Sequence, residues 1–158
     1  MSGIFVLDTN SLQVFGNYYP QHFPSFWHEI QALIDQGRLV SVSEVREELE
    51  NGNASEHLAE WVNEHPTLFS TPTSAEMNFV AEIFRVAHFG QLIGERQRLK
   101  GMPMADPFLI ARAHVLDGCV VSEESLKPHA AKIPNVCEHF GVRYQKVQGF
   151  LGEVGWQF

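Results

Sequence analysis

What this sequence lacks narrows it first. It holds two cysteines, Cys119 and Cys137, without the close pairing of a metal-ligand motif. Both thiols read as core filler, and a reducing, cytoplasmic setting is expected. Long apolar runs are also missing. Ile4-Phe5-Val6-Leu7 stops at Asp8, too short for the core of a signal peptide, and nothing approaches a membrane span. The eight histidines are scattered, with no two-histidine helical spacing of the zinc-protease kind. His28, His57 and His114 read as structural or surface residues. Internal repeats and low-complexity tracts are lacking too.

Positive charge is scarce. Lys and Arg number 11 against 19 Asp and Glu, for a net charge of −8. Proteins that bind nucleic acid through a broad electrostatic footprint are usually basic, because binding displaces counterions from phosphate. That mode is disfavoured here. An acidic chain remains compatible with an enzyme that gathers acids at one point and lets a metal ion reverse the local charge. It also fits a surface that receives a basic partner peptide.

What is present suits one compact domain over residues 1–158, with a hydrophobic fraction of 44% to supply a core. Gly3 to Leu7 reads as a buried strand ending at Asp8-Thr9-Asn10. Pro24 to Gly37 reads as a helix, with Phe26, Ile30, Leu33 and Ile34 on one face. Leu39 to Val42 follows as a second strand, and Ser43 as the cap of a helix through Leu49. Ser55 to Glu64 is expected to be helical, Thr67 to Ser70 a third strand, and Thr73 or Ser74 the start of a helix to about Ala87. Pro107 opens an apolar helix to Leu116. Cys119 to Ser122 and Val142 to Val147 are the fourth and fifth strands, with a short helix at Val136 to Phe140 between them. The tail from Phe150 is expected to add a helical turn. Trp27, Trp61 and Trp156 fit core or interface packing. Alternation of strands and helices implies a parallel sheet with covered faces, whose ligands sit beyond the carboxyl ends of the strands.

Four acids fall at that edge. Asp8 follows the first strand directly, where a turn or cap role competes with a site role. On the helix after the second strand, Val45 and Leu49 face inward. Glu48 lies roughly 60° to one side of Val45, at the border of the buried face, and Glu47 points to solvent. Asp106 precedes Pro107 as a good N-cap, and the helix behind it is apolar nearly all round. Glu123 and Glu124 follow the fourth strand, where two solvated loop charges are the plain alternative, and either one is a candidate fourth acid. Converging carboxylates repel and raise one another's pKa. A hard divalent cation removes that cost, and oxygen ligands suit Mg²⁺ or Mn²⁺.

Taken together, these segments resemble the motifs of the PIN-domain family. Val6-Leu7-Asp8-Thr9-Asn10-Ser11-Leu12 resembles its opening motif and Val45-Arg46-Glu47-Glu48-Leu49 its second. Ala105-Asp106-Pro107-Phe108-Leu109-Ile110-Ala111-Arg112-Ala113 resembles the third, and Val120-Val121-Ser122-Glu123-Glu124 the fourth, with Ser and Glu where the family usually has Thr and Asp. The order spans essentially the whole chain. The paired glutamates followed by Lys132-Ile133-Pro134 resemble a subgroup of stand-alone bacterial and archaeal members, similar to the toxin ribonucleases of toxin–antitoxin pairs.

The resemblance implies a three-layer α/β/α domain with a parallel sheet of about five strands. It also implies metal-dependent endoribonuclease activity, an RNA substrate, an antitoxin partner and often a homodimer. By the same resemblance Asp8, Glu48, Asp106 and Glu124 would be catalytic metal ligands, with Asn10 and Ser122 orienting water or phosphate. Arg85, Arg96, Arg98 and Lys100 would grip the RNA backbone, against the plainer reading of a solvated helix face. Glu124 in place of Asp leaves one-metal and two-metal chemistry open. It also leaves open a catalytically reduced PIN fold that serves as a binding module. Two other α/β readings fit less well. A receiver domain needs a neighbouring acidic pair early in the chain, and a phosphatase of the Asp-x-Asp type meets Asn10 where it needs a second Asp.

Overall fold

In a computed structural model of the chain, residues 3–52, 54–92 and 104–158 are described, the side chains of Gln91 and Leu92 excepted. Four short strands form one sheet: β1 (Phe5–Leu7), β2 (Leu39–Val40), β3 (Cys119–Val121) and β4 (Arg143–Gln145). Their order across the sheet is β2-β1-β3-β4, and every neighbouring pair is parallel. All residues of β1 and β3 are buried, as expected when helices cover both faces of a parallel sheet. The chain is thus an α/β domain whose central strands are apolar without alternation.

Eight α-helices flank the sheet among the described residues. They are α1 (Thr9–Phe15), α2 (Pro24–Asp35), α3 (Ser43–Asn51), α4 (Glu56–Glu64), α5 (Ser74–Arg85), α6 (Asp106–Leu116), α7 (Ile133–Phe140) and α8 (Val147–Val154). One group is joined by aromatic rings. Phe5 of β1 meets Phe150 of α8 edge-on at 4.9 Å, Phe150 meets Phe15 of α1, and Phe15 meets Phe26 of α2. The other group centres on α6, which packs on α5, α7, β1 and β3. Asp117 in the left-handed region and Gly118 end α6. A Cβ at Gly118 would come within 2.8 Å of the Ile4 carbonyl oxygen, so only glycine lets α6 turn this closely into β3.

The structure corrects the expected elements in four places. The sheet has four strands among the described residues rather than five, because Pro66–Phe69 forms a 3₁₀ helix. Pro66 lacks an N–H and fixes φ, yet this segment still accepts hydrogen bonds beside β2, from Ser41 N to Leu68 O and from Ser43 N to Ser70 O. The helix α1 was not foreseen, since Asp8-Thr9-Asn10 reads locally as a break. Ser43 is the first residue of α3 rather than its cap, and its hydroxyl donates to Glu44. Asp106 lies inside the first turn of α6, with Ala105 in the cap position and no side-chain cap. Its carboxylate is therefore not used to hold the helix start.

A buried ion pair fastens the α6 group. Arg112 and Glu76 are both almost fully buried, and the guanidinium makes a forked contact to the carboxylate at 3.1 and 2.8 Å. The same guanidinium donates to the carbonyls of Ser41, Ser70 and Thr71 and to the Ser70 hydroxyl. Glu76 also accepts from Thr73 N in the capping box of α5. Arg112 thereby ties α6 to the end of β2 and to the start of α5. A buried charge is tolerated when every donor finds an acceptor in this way.

Candidate metal centre

The strand order reverses between β1 and β3, and the carboxyl ends of strands at such a point are the usual ligand position in open parallel sheets. Asp8 stands at the end of β1 and caps α1, accepting from Thr9 N at 2.7 Å. Its other carboxylate oxygen accepts from the Ser122 hydroxyl, at the end of β3, at 2.8 Å. One oxygen of Asp8 thus serves the cap of α1, and the other meets Ser122.

Asp106, in the first turn of α6, and Glu124, just beyond β3, close on Asp8. One carboxylate oxygen from each of the three lies within 4.8 Å of the others. Glu124 spends its Oε1 on the backbone N–H of Ile133, the first residue of α7, at 3.1 Å. Glu123 turns the other way and accepts from Val147 N at 2.7 Å, capping α8. The resemblance pointed to Glu124, with Glu123 kept as the alternative; in the structure Glu124 lies with Asp8 and Asp106.

Glu48 stands beside this trio, anchored through both oxygens. Oε1 accepts from the Thr9 hydroxyl, and Oε2 accepts from Ala105 N at 3.1 Å. It thus bridges α3 to the residues that follow Asp8 and precede Asp106. Asn10 and Ser122 brace the same corner. Asn10 Oδ1 accepts from Glu123 N at 2.9 Å, and the Ser122 hydroxyl accepts from Glu124 N at 3.2 Å. Arg85 is placed elsewhere, in a pocket between α5 and α6 with Phe79 and His114. Arg96, Arg98 and Lys100 lie outside the described residues.

Burial and mutual repulsion raise the proton affinity of Asp8, Asp106 and Glu48. Desolvation pushes Asp8 up to about 7; the Ser122 and Thr9 hydrogen bonds oppose this, and the charges of Glu124 and Glu48 add to it. Asp106 is raised well above the ordinary carboxylate range, by burial first and then by Asp8, Glu124 and Glu48, with Lys132 pulling the other way. Glu48 is raised by burial as well, against the pull of its bonds to Thr9 and Ala105. A group of carboxylates in this condition gains from any cation that replaces its protons.

The donor set fits a hard divalent cation. Three carboxylates offer only oxygen, the preference of Mg²⁺ and Mn²⁺. One carboxylate oxygen of each lies within 4.8 Å of the others, close enough for a shared cation to draw them together. Lys132 is the described cation whose charge reaches Asp106.

Comparison with known proteins adds the following. Residues 5–158 match the family described as Domain of unknown function (DUF4411). No curated protein matches the chain in sequence. Among solved structures it is similar to VapBC2 from Rickettsia felis, crystallised with a DNA fragment from its promoter. The TM-score is 0.47 at 12% identity, over 90% of this chain and 98% of that one. So few shared residues carry no residue role from that protein to this one. Among the described residues, no helix is long and apolar enough to cross a membrane.

Proposed function

We propose that this chain, which belongs to the DUF4411 family, is a divalent-metal-dependent endoribonuclease and the toxin of a toxin–antitoxin pair. The observation that carries the proposal is the convergence of Asp8, Asp106 and Glu124 at the sheet edge, in the crevice where a parallel α/β sheet binds its ligands. The four motif segments that resemble the PIN domain meet at this one place and support RNA as the substrate. They also support an antitoxin partner that reaches the acidic cleft with basic side chains, and a homodimer.

Asp8, Asp106 and Glu124 would hold Mg²⁺ or Mn²⁺, with Glu48 beside them; its two hydrogen bonds leave lone pairs free for a further contact. When bound, the cation lowers the pKa of water and stabilises charge on phosphoryl oxygens. The protein's own groups do the rest. Ser122 and the Thr9 N–H fix the orientation of Asp8. The Thr9 hydroxyl and Ala105 N–H fix Glu48. Asp106 carries no cap duty, and it or Glu124 would take the proton of an attacking water. The charge of Lys132 reaches Asp106 and would also favour a phosphate oxygen bound there. The expected products carry 5′-phosphate and 3′-hydroxyl ends, following the resemblance.

The test combines two measurements on the purified protein. Calorimetric titration with Mn²⁺ should show binding that Asp8→Asn weakens. Single-stranded RNA should be cleaved with Mg²⁺ or Mn²⁺ and not after chelation. Metal binding without turnover would favour the alternative reading, a PIN-like fold retained as a binding module. Absence of metal binding would remove the proposal altogether.

A further inference from the structure

Beside the acid cluster lies a pocket of about 450 Å³ bordered by Asn10, Gln13, Asn17, Tyr19, Ser55 and Leu58, among others. The acid cluster and this pocket share a wall. Asn10 borders the pocket while its side chain also donates to the Ser122 hydroxyl, the group that holds Asp8. We infer that this pocket receives an unpaired nucleobase of the RNA strand whose phosphate lies at the acids. The inference rests on the nuclease reading and deepens it by naming what the substrate must present.

Three features select a base over other ligands. Asn10, Gln13 and Asn17 recur at i, i+3 and i+7, so their amides form one stripe along α1 and the turn that follows it. The core takes the opposite stripe, Ser11, Leu12 and Phe15. Gln13 and Asn17 each offer a donor and an acceptor, as the edge of a base does, while the amide of Asn10 joins this wall to Ser122 and Glu123 N. The charged residue that borders the pocket is Glu123, and no lysine or arginine does so among the described residues. Phosphate is therefore a poor occupant.

The second feature is Tyr19. It is half exposed, 52% by area, and it backs onto the His57 ring at 5.3 Å. An aromatic face held open at the rim of a polar pocket is a stacking platform for a base. The third feature is a polar group left unspent. The buried hydroxyl of Ser55 has no hydrogen-bond partner among the described residues. It lies at the pocket wall next to Gly16, where an added Cβ would come within 3.2 Å of it. Buried hydroxyls without a partner are uncommon, and a ligand edge would supply one. A paired base cannot reach such a site, because its edge is occupied and its faces are stacked. The substrate is then single-stranded next to the scissile bond.

The test uses fluorescence anisotropy with a short labelled single-stranded RNA and the Asp106→Asn variant, which keeps the RNA intact. A second set of strands carries one abasic residue, walked along the sequence. Binding should fall about tenfold on adding Tyr19→Ala, or Gln13→Ala with Asn17→Ala. One abasic position should cause the same loss, and the pocket variants should no longer sense it. Mn²⁺ titration of the pocket substitutions in the otherwise wild-type chain should be unchanged, and circular dichroism should show an intact fold. RNA binding that ignores both the pocket variants and the abasic walk overturns the inference and leaves the metal centre standing. Loss of Mn²⁺ binding by the wild type would instead overturn the reading beneath it.

Discussion

The Ser122 hydroxyl donates to Asp8 Oδ2 at 2.8 Å and accepts from Glu124 N at 3.2 Å. One small side chain at the end of β3 thus orients an acid at the end of β1 and the loop that carries a second acid. Removing it frees Asp8 to rotate and strips a bond that favours its ionised form. Ser122→Ala should lower Mn²⁺ affinity by about 10-fold or more, the usual cost of losing a group that orients a metal ligand. Calorimetric titration checks this, and Ser122→Thr, which keeps the hydroxyl, should restore most of the affinity.

The raised acids make metal-free stability depend on pH in a definite direction. Asp8 titrates near 3.9 in an unfolded chain and at about 7 in the folded one. Between those values the folded state holds the extra proton, so stability falls as pH rises through the window. Asp106 acts in the same sense. Metal-free protein should therefore melt at a lower temperature at pH 7.5 than at pH 5. Millimolar Mg²⁺ or Mn²⁺ should reverse the loss at pH 7.5. A melting temperature that rises with pH in chelator would contradict the site's electrostatics.

Asp106→Asn should abolish RNA cleavage yet leave metal-free stability unchanged or higher. The carboxylate does not cap α6, and removing its charge relieves repulsion from Asp8, Glu124 and Glu48. Thermal melts in chelator at pH 7.5, beside a cleavage assay, separate the outcomes. A large fall in melting temperature would show that Asp106 is structural.

The two neighbouring glutamates should behave differently. Glu124→Gln should weaken Mn²⁺ binding strongly, because Glu124 belongs to the convergent trio. Glu123→Gln should retain Mn²⁺ binding, since that side chain caps α8 at Val147. Equal loss in both variants would reject the assignment.

Arg112→Met should destabilise the fold by about 3–5 kcal/mol, the range for breaking a buried pair and leaving its partner uncompensated. Chemical denaturation measures this directly. The double variant with Glu76→Leu should recover part of the loss, because it removes the stranded charge as well.

Much of the scaffold was written in local pattern. The apolar runs at Phe5–Leu7 and Cys119–Val121, the turn signals and the Pro107 helix start depend on neighbours in sequence, so periodicity and propensity find them. The expected strand at Thr67 to Ser70 was lost because Pro66 dictates a 3₁₀ turn even where the segment hydrogen-bonds beside β2. The helix α1 was hidden because Asp8-Thr9-Asn10 looks like a break when read alone. It is instead a cap, with Asp8 bonded to Thr9 N.

The sequence by itself determined which acids stand at strand ends and helix starts, and so which edge of the sheet gathers carboxylates. Only the tertiary structure decided what each acid does there. Glu123 and Glu124 are chemically identical neighbours, separated when one meets the start of α8 and the other the start of α7. Glu48 was read as facing a cleft, and the fold ties its oxygens to the Thr9 hydroxyl and to Ala105 N beside the trio. Arg112 showed no local sign of its buried pairing with Glu76, which lies 36 residues away. Charge, hydrogen bonding and desolvation depend on distance in space, and residues far apart in the chain acquire those distances only when the sheet closes and the helices pack.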